Sequence, residues 1–299
     1  MTTIETPLKY SNTPEYIVPP TGYCPGCAFG LSLRYFLKAI GPKVIIHTLP
    51  GCFGSRRLEY SGKPIDLTGS PCGNAASFCA GLSSALEAQG DTETVVVPWT
   101  GDGATFDIGM GAVSAAAERN DNMLYVCNDN EAYQNTGNQR SSASPWMTTN
   151  ATNPNSAPKM EFKKDVDAIM AAHRIPYLAT VTVGFPEDFM SKVEKARSIR
   201  GFRFLHILNP CPAGWGFPSE KTLELARLMV ETKVFHLFEV EGGVKYTVNY
   251  EPKGLPLLEY IKPQQRFRNM SAEDLAKFKR DVEERWRRLQ FLASYKESD

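Results

Sequence analysis

The sequence predicts an α/β protein: a parallel sheet with helices packed on both faces. Three observations carry this. Short apolar runs rich in β-branched residues recur along the chain, as strands buried on both faces do. Ala-rich or amphipathic stretches of helix length separate them, the alternation that lets parallel strands share one sheet. With 299 residues, 42% of them hydrophobic, the chain is long enough to bury a large core.

In chain order, "KVIIHTL" (43–49) reads as the first buried strand, and "NAASFCAGLSSALEAQG" (74–90) as a helix whose small residues pack closely on a sheet. "TVVVPWT" (94–100) is the next strand, "FDIGMGAVSAAAERN" (106–120) a second small-residue helix, and "NMLYVCND" (122–129) a further strand. The stretch 134–160 is polar and turn-rich, longer than a compact domain leaves structureless, so it is either disordered or a functional loop. "PYLATVTV" (176–183) and "FRFLHIL" (202–208) are strands, and "PEDFMSKVEKARSI" between them is a surface helix that opens with Pro and two acids. Beyond Gly216 the periodicity fades until Ser271, which caps a helix with Leu275, Phe278, Val282, Trp286 and Leu289 along one stripe. That stripe suits a terminal helix docked on this domain or on a partner. There are no internal repeats and no low-complexity segment.

Charge narrows the function. Lys plus Arg and Asp plus Glu number 33 each, with no run of one sign, so neither nucleic acid nor an anionic membrane is indicated as a ligand. The opening "MTTIETPLKYSNTPEYIVPP" lacks the basic start and apolar stretch of a signal peptide, and no run approaches the roughly 20 apolar residues of a membrane span. The chain therefore reads as cytoplasmic. In a reducing compartment its seven cysteines point to metal binding or catalysis rather than to a disulfide framework.

Gly101-Asp102-Gly103 lies directly after a predicted strand and before a predicted helix. Glycines there let the backbone approach a ligand, a helix N-terminus offers N–H groups to phosphate oxygens, and the carboxylate can hold a divalent cation. The same tripeptide also makes a plain turn. A second strand ends in Asn128-Asp129-Asn130, with 26 residues between Gly103 and Asn130, room for one helix and one strand. A βαβ unit returns its second strand beside the first, so Asp102 and Asn130 can meet at the carboxyl edge of the sheet. The spacing resembles the thiamine diphosphate motif, Gly-Asp-Gly followed by Asn one helix and one strand later. That resemblance implies a diphosphate held along Gly101, Asp102, Gly103 and Ala104, with Mg²⁺ ligated by Asp102, the Asn130 side chain and the main-chain carbonyl of Ala132.

Cys24 and Cys27 stand two residues apart, and Cys52 and Cys211 fall just beyond predicted strand ends beside Gly or Pro. Cys79 and Cys127 sit inside a helix and a strand, where cysteine is a small core residue. Four thiolates from Cys24, Cys27, Cys52 and Cys211 would satisfy either Zn²⁺ or a [4Fe-4S] cluster. A thioredoxin-like dithiol would need the pair at the start of a helix that follows a strand, whereas here a Pro-rich lead-in precedes it. Cys72 has no assignment.

Together these segments resemble the β subunit, the thiamine diphosphate-binding subunit, of the 2-oxoacid:ferredoxin oxidoreductases, the pyruvate synthase group. The correspondence runs from about Pro20 to Phe217 through "CPGC", Gly51-Cys52, "GDGATFDIG", "YQNTGNQRSSASP" and "HILNPCPAGW". It implies the diphosphate-module fold of thiamine enzymes and a [4Fe-4S] cluster on Cys24, Cys27, Cys52 and Cys211. It also implies oxidative decarboxylation of a 2-oxo acid, pyruvate by default, with coenzyme A as acyl acceptor and electrons leaving one at a time through the cluster to ferredoxin or another acceptor. Branched-chain, aromatic or other small 2-oxo acids stay open. The segments "YQNTGNQ" and "PCPAGW" resemble those of members acting on pyruvate or branched 2-oxo acids, and the chain lacks the shorter Tyr-Gly-Leu-Thr version of the 2-oxoglutarate group. Ala28-Phe29 in place of the Gly-Glu that many members carry after the second cysteine, and Pro145-Trp146 continuing as "MTTN", are departures that bear on substrate preference.

Asn135 and Thr136 are the candidates for contacts near the thiazolium or substrate, or else they stabilise a local turn. Gln139 and Arg140 are candidates for a carboxylate or a coenzyme A phosphate. The chain is expected to be one thiamine diphosphate-binding domain over 1–299, with an N-terminal cluster-binding segment at about 20–55 and a C-terminal helical extension at about 217–299. That length leaves no room for the second module that supplies the glutamate activating the aminopyrimidine. The family places it on an α subunit, with γ- or δ-type subunits carrying ferredoxin-like clusters, so the chain is expected to act only in a hetero-oligomer. Two other classes remain: a non-redox thiamine decarboxylase or carboligase, which needs no four-cysteine site, and a zinc-stabilised scaffold, which needs no magnesium site.

Overall fold

The computed structural model describes residues 13–19, 21–54 and 57–295. Most of the opening segment, and Pro20 where the family correspondence begins, lie outside the described residues. The chain runs through α1 (Ala28–Ile40), β1 (Val44–Thr48), β2 (Glu59–Tyr60), β3 (Lys63–Pro64), β4 (Asp66–Gly69), α2 (Ala75–Ala88) and β5 (Val95–Gly101). A π-helical turn (Gly103–Ile108) follows, then α3 (Met110–Glu118), β6 (Met123–Asp129), α4 (Val166–Ala172), β7 (Tyr177–Val181), α5 (Pro186–Ser198) and β8 (Phe202–Leu208). The remainder holds α6 (Pro212–Trp215), α7 (Thr222–Glu231), β9 (Phe238–Glu241), β10 (Lys245–Val248), α8 (Leu257–Ile261) and α9 (Ala272–Ser294).

Eight strands form one sheet in the order β10-β9-β7-β8-β6-β5-β1-β4. All pairings from β7 to β4 are parallel, as expected. The β9–β10 hairpin adds an antiparallel edge. The region after residue 217 is thus not only a helical extension, since it also lengthens the sheet. Two glutamates in "FEVE" hide β9 from an apolar-run reading; Glu239 is buried because Tyr177, Lys195 and Asn249 all donate to it.

Successive strand residues point to opposite faces. Leu124 and Val126 join the core under α1 and α5 with Leu33, Phe36, Phe189 and Val193. Met123, Tyr125 and Cys127 join the opposite core with Cys79, Val113, Ala116 and Trp286. Cys79 and Cys127 are fully buried there, the core role their positions indicate. A third cluster packs Trp215 and Phe217 against α7, α8 and the α9 residues Phe278 and Val282. A capping box between Ser271 and Asp274 starts α9, whose Phe278, Val282, Trp286 and Leu289 are buried while Leu275 is only partly so. The helix therefore docks on its own domain. It is also the longest, and among the described residues no helix is long and apolar enough to cross a membrane.

In the sequence, the cysteine motif just ahead of helix α1 masks it. Phe29, Leu33, Phe36, Leu37 and Ile40 give it an apolar stripe at helical spacing, and all are buried. Cys27 is its N-cap residue, so the cysteine pair does begin a helix. Among the described residues the lead-in before it makes only an isolated bridge, Ile17 with Leu58, and no strand.

Candidate functional site

Adjacent parallel strands β5 and β6 pair Trp99 with Val126, Thr100 with Cys127 and Gly101 with Asn128. That register puts Asp102 and Asn130 side by side at the carboxyl edge, as the βαβ argument requires. A cavity of about 110 Å³ opens at this edge, and Cys52, Asp102, Asn130, Ala132, Asn135 and Thr136 all line it. A separate cavity of about 150 Å³, bordered by Trp146, Asp167, His206, Phe235 and Leu289, holds none of the expected ligands.

The turn after Gly101 is wider than an ordinary helix start. Thr105 Oγ1 donates to the Gly101 carbonyl at 2.9 Å and lies 2.8 Å from Thr100 Oγ1. A Cβ on Gly103 would come within 2.2 Å of the Tyr133 ring, and one on Gly109 within 2.2 Å of the Ala104 carbonyl oxygen. Both glycines let the turn close against its neighbours. Gly101 is different, for a Cβ there would meet nothing within 4 Å. Its small size leaves open space beside the cavity, as a ligand that approaches the backbone needs.

Asp102 is 1% exposed. Burial, and then the nearby Asp129 charge, push its carboxyl well above the usual carboxylate range, and a hydrogen bond from Ser141 offsets part of this. One terminal atom of the Asn130 amide lies 2.8 Å from the Ala132 carbonyl oxygen and 3.2 Å from Asp102 Oδ1. If that atom is nitrogen, it donates to both. If it is oxygen, it accepts only a long bond from the Ala132 N–H, at 3.4 Å, and otherwise faces two further oxygens, an arrangement that a hard cation resolves. The donor set fits a divalent cation, and its charge would offset the cost of burying Asp102.

The four thiols share one environment. Burial first, then Cys211, Cys27, Cys24 and Asp102, push Cys52 up to about 12. Burial pushes Cys211 up to about 11 against the opposing Gly214 N–H, and Cys27 and Cys24 add to the rise. The Gly214 amide donates to Cys211 Sγ at 3.4 Å, the kind of bond that steadies a sulfur ligand. No trio of His, Cys, Asp or Glu among the described residues is drawn in tightly enough for one metal ion, so what the thiols have in common is mutual electrostatic contact across a wider space. Two glycines keep the loops close: a Cβ on Gly26 would come within 2.3 Å of the Ser219 carbonyl oxygen, and one on Gly214 within 2.1 Å of Gln134 Oε1. Cys72 is exposed on the cavity wall, with its thiol 3.6 Å from the Pro50 carbonyl oxygen.

The long loop is packed rather than loose. Ser141 reaches Asp102 and Ser142 reaches Asp107, while buried Lys159 donates to the carbonyls of Ser144 (2.6 Å), Glu161 (2.8 Å) and Phe162 (3.2 Å). Asn135 and Thr136 stand exposed at the cavity rim. Thr136 Oγ1 donates to Gln139 Oε1 at 2.6 Å and Gln139 Nε2 returns a bond to the Thr136 carbonyl, so Thr136 and Gln139 hold a local turn. Arg140 is paired with Glu161 at 3.0 Å.

Sequence reasoning missed the support behind the edge. Trp215 Nε1 donates to the Asn130 carbonyl at 2.9 Å, tying the Cys211 loop to the end of β6. Arg266, buried, stacks 3.8 Å over the Trp215 ring and pairs with Glu131 at 2.6 Å. Lys163 bridges Glu131 and Asp129 at 2.8 and 2.5 Å. Burial works against the Asp129 charge, but Lys163 and His206 outweigh it and hold its carboxyl below the usual range. These residues are far apart in sequence and no local pattern links them.

His206 lies between two carboxylates, Nδ1 3.0 Å from Asp167 and Nε2 3.1 Å from Asp129. Burial alone would lower its pKa; Asp167 and Asp129 outweigh that and raise it from 6.5 to about 9. A group raised in the folded state contributes stability that is full below its unfolded pKa and lost as pH rises through the folded one. Thermal unfolding is therefore expected to lose on the order of 3 kcal/mol of stability from this source between pH 6.5 and pH 9 and above. His206→Gln should flatten that alkaline decline; an unchanged slope in the variant would count against the imidazolium.

Residues 59–207 match the family described as "Thiamine pyrophosphate enzyme, C-terminal TPP binding domain". The chain is 40% identical over 288 residues to pyruvate synthase subunit PorB of Methanocaldococcus jannaschii, covering 92% of this chain and 96% of that protein. It is 42% identical over 286 residues to ketoisovalerate oxidoreductase subunit VorB of Pyrococcus abyssi, covering 90% of this chain and 91% of that one. A solved 2-oxoglutarate:ferredoxin oxidoreductase from Magnetococcus marinus shares the fold, with a TM-score of 0.56 and 24% identity over 71% of this chain and 79% of that one.

Proposed function

Since the chain belongs to the thiamine diphosphate-dependent 2-oxoacid:ferredoxin oxidoreductases, as the β subunit of the pyruvate or ketoisovalerate type, we propose that its carboxyl edge holds two cofactors side by side. In this reading Asp102, Asn130 Oδ1 and the Ala132 carbonyl ligate Mg²⁺, and the diphosphate lies along Gly101, Gly103 and Ala104. Cys24, Cys27, Cys52 and Cys211 ligate a [4Fe-4S] cluster. The observation that carries it is the sharing of one edge: Cys52 lines the same cavity as Asp102, Asn130 and Ala132, with its Sγ 3.9 Å from Asn130 Nδ2, and the other three thiols are near enough to raise its pKa.

Bound thiamine diphosphate supplies the carbanion chemistry that releases CO₂ from a 2-oxo acid. This chain's residues bind, orient and enclose. Asp102 and Asn130 fix the cation end, and Tyr133, donating to the Gly103 carbonyl at 3.0 Å, braces the glycine turn. Ser141 holds the carboxylate of Asp102 in place. Asn135, at the rim, is the residue of this chain best placed to meet substrate. Thr136 is fixed in the turn beside it and positions that rim. A [4Fe-4S] cluster held by Cys24, Cys27, Cys52 and Cys211 would supply one-electron acceptance, with ferredoxin or another acceptor beyond it and coenzyme A as the acyl acceptor. A partner α subunit supplies the pyrimidine module and its activating glutamate, and further subunits carry ferredoxin-like clusters.

The relatives' names favour pyruvate or 2-oxoisovalerate as substrate. The complex reconstituted with its partner subunits, assayed with coenzyme A on a panel of 2-oxo acids, tests this. Highest kcat/KM on pyruvate or on the branched acid supports the reading, whereas preference for 2-oxoglutarate or turnover without coenzyme A overturns it. Iron and acid-labile sulfide in the purified protein separate a redox enzyme from a zinc-stabilised or non-redox one.

A further inference from the structure

With Asn130 a ligand of the cation and Cys52 a ligand of the cluster, as the proposed function has them and on which the role inferred for Asn130 rests, the Asn130 side chain faces both cofactor sites. One side of its amide lies against the Ala132 carbonyl and Asp102 Oδ1, at 2.8 and 3.2 Å. With oxygen on that side, Nδ2 lies 3.9 Å from Cys52 Sγ, within reach of an N–H···S contact. An amide carries its donors on one side only. The NH₂ group therefore serves Ala132 and Asp102 or it serves Cys52, never both.

Which side wins depends on the cation. Without one, nitrogen turned inward donates two hydrogen bonds, at 2.8 and 3.2 Å, and gives up only the longer 3.4 Å bond that an inward oxygen accepts from the Ala132 N–H. A divalent cation between Asp102, Asn130 and Ala132 reverses the preference, because it needs oxygen as its ligand. The exchange is a half-turn about the last side-chain bond. The Trp215 indole holds the Asn130 carbonyl at 2.9 Å, so the backbone keeps its place in either orientation.

We propose that the Asn130 amide is a positioning residue that reports cofactor occupancy to the cluster: cation and diphosphate binding turns its N–H onto Cys52 Sγ. Hydrogen bonds to cluster sulfurs favour the more negative, reduced state and raise the reduction potential. The cluster thus becomes the better electron acceptor only when the cofactor that feeds it is in place. The charge of bound magnesium and thiamine diphosphate acts on the wild type and on a variant lacking the donor alike, so the amide is read from the difference between them.

The test is a redox titration followed by electron paramagnetic resonance on the reconstituted complex, with and without Mg²⁺ and thiamine diphosphate. The relevant signal is the one missing from the Cys52→Ser complex. If no signal depends on Cys52, the ligand assignment itself fails and the amide switch falls with it. If the signal is present, adding cofactor is expected to favour its one-electron reduction by up to about tenfold, which corresponds to about 59 mV. Asn130→Asp keeps an inward oxygen and loses the donor, so its potential should not rise when calorimetry shows cofactor bound. A fall in the wild type, or equal rises in wild type and variant, overturns the amide switch while leaving both cofactor sites standing. A second readout needs no variant: an exchangeable-proton coupling to the reduced cluster should appear in wild-type protein only after cofactor is added. Its absence, or its presence before addition, overturns the proposal.

Discussion

Asp102→Asn is expected to separate stability from function in opposite directions. Asparagine has nearly the same shape and can still accept the Ser141 hydrogen bond, but it brings no charge to a site only 1% exposed. An isolated carboxylate is costly to bury, so without cofactor the variant should melt at or above the wild-type temperature. With Mg²⁺ and thiamine diphosphate the order reverses. Removing a group that merely supports a metal ligand costs about 10- to 100-fold in metal affinity, so losing the charged ligand itself should weaken cation-dependent cofactor binding by more than about 100-fold. Cofactor binding by calorimetry and melting with and without cofactor are the measurements. A variant that binds the magnesium complex with wild-type affinity would show that Asp102 is not the ligand.

How far the sequence shows this site depends on the range of each interaction. The strands containing Gly101 and Asn128 are mainly apolar runs, buried on both faces, and so they stand out by composition alone. Their pairing follows from the βαβ rule, which places Asp102 near Asn130 without any knowledge of side chains. Helix α1 is less visible because the cysteine pair suggests ligands and obscures the stripe that begins at Phe29. Strand β9 is hidden by Glu239, whose burial makes sense only once Tyr177, Lys195 and Asn249 surround it. The buried network of Asp129, Glu131, Lys163, His206 and Arg266 has no local signature, because its members are brought together only by the tertiary fold. The π-helical turn after Asp102 is likewise illegible, since it depends on Tyr133 approaching Gly103 from a distant part of the chain.

Four serine substitutions should divide the cysteines into two groups. Cys52→Ser and Cys211→Ser change little in shape, yet each is expected to abolish the cluster, its visible absorption and acceptor-linked turnover, because a neutral hydroxyl does not replace a thiolate on iron. Cys79→Ser and Cys127→Ser should retain all three. Their cost appears in stability instead, for both sites are fully buried. At Cys79, among apolar neighbours, a hydroxyl without a partner costs about 1–3 kcal/mol, whereas at Cys127 the Thr105 hydroxyl that already bonds the sulfur reduces that cost. The groups are told apart by neighbouring thiols rather than by burial, for Cys52 and Cys211 are themselves largely buried but feel Cys24 and Cys27, whereas Cys79 is raised by burial alone and Cys127 by burial and then the Asp129 and Asp102 carboxylates. Iron and sulfide content, the absorption spectrum and the melting temperature of the four proteins make the comparison. If Cys127→Ser lost iron while Cys211→Ser kept it, the ligand set would have to be redrawn around the sheet interior, where Cys127 pairs with Thr100.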